Sequence, residues 1–110
     1  MSTETTINLQ DYRTPASKVF TGRDRGVEVR EKSKIDSLIS SHDKINIIIP
    51  DDIRSINPSF LEEFLVNVVT KLGEKGFYAK FSIQNDGRYK VSDDLHEAIE
   101  RILREENALA

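Results

Sequence analysis

The spacing of apolar residues changes period several times along this chain, and each change marks an element. Residues 44 to 50, KINIIIP, are short, β-branched and almost continuously apolar. That composition predicts an interior strand covered at least in part on both faces, and so the centre of a sheet. From 58 to 72 the period becomes helical: Phe60, Phe64, Val68 and Leu72 form one row at spacing four, and Leu61, Leu65 and Val69 form another. Gly73 and Gly76 can end this helix. The stretch FYAKFSI, 77 to 83, then alternates Phe77, Ala79, Phe81 and Ile83 against Tyr78, Lys80 and Ser82, which reads as a half-buried strand. QNDGRYKV reads as a turn and a short return strand, because Asp86-Gly87 accepts positive φ. The last helix runs from 93 to about 106 on a stripe of Leu95, Ile99, Ile102 and Leu103, with Ser92 as its N-cap and Asp93 and Asp94 in its first turn.

The N-terminal half is less sharply patterned. Ile7 and Leu9 alternate with polar neighbours as a short edge strand would, Pro15 stops its continuation, and SKVF, 17 to 20, offers a second short strand. Residues 21 to 40 read as a helix with a thin apolar face of Val27, Ile35, Leu38 and Ile39, and with Glu28 and Lys32 spaced for a surface ion pair. Residues 1 to 5 and 107 to 110 are expected to fray. Strands alternating with helices predict one α/β domain over 1 to 110, with a mixed, mostly parallel central sheet and about three main helices against it.

Composition narrows the function classes. The chain has 110 residues, 37% hydrophobic and 32% charged, enough for one core. Its net charge of −3 is spread evenly, and Arg23, Arg25, Arg30, Lys32 and Lys34 are interleaved with Asp24, Glu28 and Glu31, so nucleic acid is not an expected partner. There is no cysteine, which removes disulfides, thiolate metal sites and cysteine nucleophiles together. MSTETTINL lacks the basic start and apolar core of a signal peptide, and no apolar run approaches the ~20 residues of a membrane span. A cytoplasmic protein with no membrane partner is the expectation.

No motif for catalysis or nucleotide binding occurs, and His42 and His96 lie in different elements without ligand spacing. No catalytic residue, metal or cofactor is therefore assigned, and no enzymatic activity is expected. TGRDRG, 21 to 26, places Gly22, Arg23 and Arg25 at a helix start, where free amides and the helix dipole suit an anion. That arrangement supports one reading of the chain, as a small nucleotide- or phosphometabolite-binding protein. Its alternative is an exposed helix start with paired arginines. Asp51 and Asp52 follow the central strand, where open α/β sheets often bind ligands, and they also suit a simple turn leading to Ile53.

SINPSFLEEFL, 55 to 65, contains two capping registers. Ser59 and Glu62 have the spacing of a capping box, while Asn57 can cap with Pro58 as the first helical residue, leaving the Ser59 hydroxyl free. The whole segment INIIIPDDIRSINPSFLEEFL resembles the STAS fold of anti-sigma factor antagonists. It is closer still to the small bacterial STAS-like proteins, in which a Ser-Phe pair begins this helix. TGRDRGVEVR and FYAKFSI extend the similarity over residues 18 to 104.

The resemblance implies a sheet with helices against it and a non-catalytic regulatory module that binds a protein partner, such as an anti-sigma factor or a kinase-like ATPase. A homo-oligomer is compatible with it. It also implies a partner surface of Asp51, Asp52, Ser55, Asn57, Ser59, Glu62 and Glu63, with Ser59 as the candidate phosphorylation site. Asn57-Pro58-Ser59-Phe60 stands where the antagonists carry Asp-Ser-Ser-Gly, so Pro58 replaces the modified serine and Ser59 falls one place later.

Overall fold

The computed structural model describes residues 3 to 109, with side chains to 105. A three-stranded sheet is built from β1 (Glu4–Asn8), β3 (Lys44–Ile49) and β5 (Phe81–Asn85), in the order β1-β3-β5. Both of its pairings are parallel, with Glu4 opposite Lys44 and Ile45 opposite Phe81. KINIII is thus the central strand, as its composition predicts. A second parallel pair joins β2 (Val19–Phe20) to β4 (Ser55–Ile56).

Four helices complete the α/β fold: α1 (Arg23–Ser33), α2 (Ile35–Ser41), α3 (Pro58–Lys80) and α4 (Ser92–Leu109). Among these described residues no helix is long and apolar enough to cross a membrane. The core unites Ile7, Ile45, Ile47, Ile49 and Phe81 from one face of the sheet with Phe60, Leu61, Phe64, Leu65, Val68 and Val69 from α3 and Leu95, Ile99 and Ile102 from α4. Both rows read on α3 and the stripe read on α4 face this core.

The other face of the sheet is open. Thr6, Ser82 and Gln84 are exposed there and Asn46 and Ile48 are half-buried, so β3 is covered on one face rather than on both. Parallel sheets are ordinarily covered on both sides. Here the uncovered side carries mostly polar residues, which hydrate without a covering layer.

Several sequence expectations need correction. The helix expected over 21 to 40 is two helices, because Lys34 adopts the left-handed conformation (φ 58°, ψ 32°) and reorients the chain between a buried stripe of Gly26, Val29 and Ser33 and another of Ile35 and Ile39. The Glu28 to Lys32 pair forms at 2.8 Å. Residues 77 to 80 are helical rather than extended. After a break at Gly73 (φ 75°) the chain resumes helix, and Phe77, four residues before Phe81, stacks on it at 4.6 Å between ring centres. Spacing four, not two, governs that segment.

The return strand after Asp86-Gly87 is also absent. The Asn85 side chain instead closes loop 86 to 91, accepting from the Val91 amide at 2.8 Å and donating to the Tyr89 carbonyl at 2.9 Å. Val91, not Ser92, stands at the cap position of α4, its carbonyl accepting from Leu95 at 2.8 Å. Of the end residues, 4 and 5 pair in β1 and 107 to 109 lie in the last turn of α4; residues 1, 2 and 110 lie outside the described residues.

Candidate functional site

The two segments singled out in the sequence, 21 to 26 and 51 to 59, lie side by side. The β2-β4 pair sets Val19 opposite Ser55 and Phe20 opposite Ile56. Flanking hydrogen bonds lengthen the contact, from the Arg54 amide to the Lys18 carbonyl at 2.7 Å and from the Asn57 amide to the Phe20 carbonyl at 2.8 Å. Each strand leads directly into a helix, so α1 and α3 start next to each other. Their close approach depends on Gly26, where a β-carbon would lie 2.5 Å from the Phe60 carbonyl oxygen and 2.8 Å from Glu63 Cβ.

The capping question resolves in favour of Asn57. Its Oδ1 accepts from the Ser59 amide at 2.8 Å, with Pro58 as the first helical residue. The Ser59 hydroxyl makes no hydrogen bond among the described residues, and Glu62 does not fold back to close a capping box. Asn57→Ala should cost about 1 kcal/mol of unfolding free energy by loss of this cap. Urea denaturation with no change in midpoint would show that another group caps α3.

Glu62 and Glu63 are committed within the fold. The Glu62 side chain is only 7% exposed and lies between two helices, 2.9 Å from Arg23 of α1 and 3.5 Å from Arg101 of α4. Glu63 meets Arg23 at 3.2 Å and Arg30 at 3.8 Å, while Arg30 Nη1 also donates to the Glu63 carbonyl at 2.6 Å. These bonds, first of all those to Glu62, raise the Arg23 pKa above its ordinary value. A buried carboxylate needs such partners, because leaving it unpaired is costly. Glu62 therefore cannot belong to an exposed partner surface, contrary to expectation, and Glu63 contributes only its part-exposed edge.

The candidate anion group is altered in the same way. Arg23 is occupied by Glu62 and Glu63, and Arg25 donates to the Tyr12 carbonyl and pairs with Glu28 at 3.0 Å. Gly22, the exposed residue preceding α1 at φ 89°, accepts the Gly26 amide on its carbonyl at 3.2 Å. Asp52 is held by Arg13 through two bonds, of 2.8 and 3.2 Å, and that hydrogen bonding keeps its carboxyl below the usual range. Asp51 is exposed in the turn that the Ile53 amide closes onto the Pro50 carbonyl at 3.2 Å. Its backbone rests against Gly87, where a β-carbon would lie 2.3 Å from the Asp51 carbonyl oxygen.

Ser55, Asn57, Val19, Thr21 and Arg54 are exposed around this junction, and Ser59 is half-buried at its edge. Tyr89 supports the junction from loop 86 to 91: its hydroxyl lies 3.2 Å from the Ile56 carbonyl and 2.5 Å from Asp94 at the start of α4. Burial, followed by the hydrogen bond to Asp94, pushes the phenol pKa well up.

Reading the sequence missed Arg13, Tyr89 and Arg101 in these roles. For Glu62 a signal was present, since it shares a helix face with Leu65, Val66 and Val69 at spacings of three, four and seven. Among the described residues no group of three or more His, Cys, Asp or Glu is placed to hold a metal, and His96 pairs with Glu100 at 3.0 Å on the surface of α4. Comparison of the chain with protein-family models, curated proteins and solved structures finds no match.

Proposed function

We propose that the chain is a non-catalytic, cytoplasmic regulatory module of the STAS-like kind, binding a protein partner at the junction where α1 and α3 begin. The partner class that the resemblance suggests is an anti-sigma factor or a kinase-like ATPase. The observation that carries the reading is the convergence at this junction. The β2-β4 pair lines up exposed Val19, Ser55 and Asn57 beside Ser59, whose hydroxyl is left uncommitted by the Asn57 cap. Phosphate on Ser59 would add about −1.5 to −2 charges in the first turn of α3, where the helix dipole favours it and where Arg23 already reaches across to the same helix.

The surface proposed here differs from the one the sequence suggested. Asp51, Ser55, Asn57 and Ser59 remain, Glu62 and Asp52 are engaged in ion pairs, and Val19, Thr21 and Arg54 join. The nucleotide-binding alternative lacks comparable support, because Arg23 and Arg25 already have partners.

Affinity purification of the full chain from its source cells, followed by mass spectrometry, tests this reading. An ATPase or sigma regulator should be recovered, and Ser55→Arg, at an exposed position, should lose it with the thermal midpoint unchanged. The same partner should phosphorylate Ser59 in the presence of ATP. Recovery of the same proteins by the Ser55→Arg chain would place the binding surface elsewhere.

A further inference from the structure

We propose that Asp86 is a site of spontaneous covalent modification, isomerising to isoaspartate through a cyclic imide with Gly87, and that the product unseats loop 86 to 91 from the turn at Asp51. An aspartate is most prone to this reaction before glycine, because the attacking amide then carries no side chain to obstruct ring closure. Of the five glycines in the chain, only Gly87 follows an aspartate or asparagine. The fold holds that glycine in place. A β-carbon at position 87 would lie 2.3 Å from the Asp51 carbonyl oxygen and 2.9 Å from its carbonyl carbon, and the obstacle is backbone rather than a side chain that could swing away. The close seat of the loop and the lability of Asp86 thus come from the same residue.

The local geometry leaves the reacting groups accessible. Asp86 is exposed, and its carboxylate accepts one hydrogen bond, from the Gln84 side-chain amide at 3.2 Å. Among the described residues the Gly87 amide donates no hydrogen bond, and it lies outside every helix and strand. Asp36-Ser37 gives the contrast. Asp36 also precedes a small residue, but in α2 the Ser37 amide is bonded to the Lys34 carbonyl at 3.0 Å and the Asp36 carboxylate to Asn67 at 2.8 Å. That nitrogen can turn onto the preceding side chain only after local unfolding.

The reaction balances without a co-reactant. The Gly87 nitrogen gives up its proton and bonds to Asp86 Cγ, one carboxyl oxygen leaves as water, and an imide ring results. Water then adds back at either ring carbonyl. When it adds at the Asp86 α-carbonyl and the bond from that carbon to nitrogen breaks, the main chain runs through Cβ and Cγ and is one atom longer. The extra atom falls between Asn85, which anchors the loop through Val91 and Tyr89, and the glycine seated on Asp51. Tyr89, whose hydroxyl reaches the Ile56 carbonyl at 3.2 Å, moves with the loop.

Ageing the full chain in heavy-oxygen water at physiological temperature and pH tests the proposal. Peptide mapping should locate heavy oxygen at residue 86, and a purified isoaspartyl methyltransferase should methylate the same residue, at a rate comparable with that of a synthetic peptide of residues 81 to 91. Residue 36 should stay unlabelled. Asp86→Glu, which would have to close a larger ring, should abolish the label. The isomerised protein, separated by chromatography, should melt at a lower temperature and show shifted NMR signals for Asp51 and Tyr89. No label at residue 86 while the peptide acquires it would overturn the site, and an isomerised chain with its melting and both signals unchanged would overturn the unseating of the loop. Fragmentation assigns the label to a residue directly, so the result stands even if Asp86→Glu is unstable.

Discussion

Phe60→Ala should remove about 3–5 kcal/mol from the unfolding free energy, the range for truncating a fully buried aromatic side chain. Phe60 is 0% exposed and its ring lies 5.1 Å from that of Phe20 and 6.0 Å from that of Phe64. It therefore closes the space between β2 and α3 directly beneath the junction of the candidate site. The surroundings have little means of collapsing into the vacancy, because Phe20 is fixed by the β2-β4 hydrogen bonds and Phe64 by the helix itself. Chemical denaturation should show the full loss, and fluorinated-phenylalanine NMR should show Phe20 and Phe64 both shifted. A loss under about 1 kcal/mol would mean that the cluster repacks and that the junction does not depend on it.

Gly26→Ala should destabilise the fold, although alanine is the better helix former. The propensity gain is about 1 kcal/mol. Against it stands a β-carbon 2.5 Å from a backbone oxygen of α3, which the fold can relieve only by moving two helices apart, and overpacking of that kind typically costs about 1–3 kcal/mol or more. The net effect should be destabilising by up to about 2 kcal/mol or more once the two terms are combined. Separation of the helices should also loosen Arg23 and Arg30 from Glu62 and Glu63, visible as sharper, more mobile arginine side-chain NMR signals. A more stable Gly26→Ala protein would show that the helix contact is looser than the structure gives.

Much of this architecture could be read in advance because periodicity is a local property. The rows on α3, the stripe on α4 and the continuous apolar run of β3 all come from residues close in sequence, and all three lie where their patterns place them. The failures have a physical pattern too. Lys34 breaks a helix through a backbone conformation that no neighbouring residue announces, and Phe77 and Phe81 satisfy both an alternating and a four-residue spacing. Asn85 replaces a strand with side-chain hydrogen bonds that depend on where Tyr89 and Val91 arrive. At the candidate site the local part was legible: both capping registers of α3 could be written down from SINPSFLEEFL alone. What selects between them is distant, since Glu62 is drawn away by Arg23, 39 positions earlier, and Arg101, 39 positions later.

That shared carboxylate also constrains the order in which the sequence can drift. Arg23 and Arg101 are 55% and 40% exposed at their side chains, so either can change while Glu62 keeps the other, and an arginine left alone remains hydrated. Glu62 has no such freedom once both are gone, for it would then be a lone buried anion. The second arginine can therefore depart only after an uncharged residue has replaced Glu62. The three positions, drawn from three helices, thus form a single evolutionary unit with a preferred direction of travel.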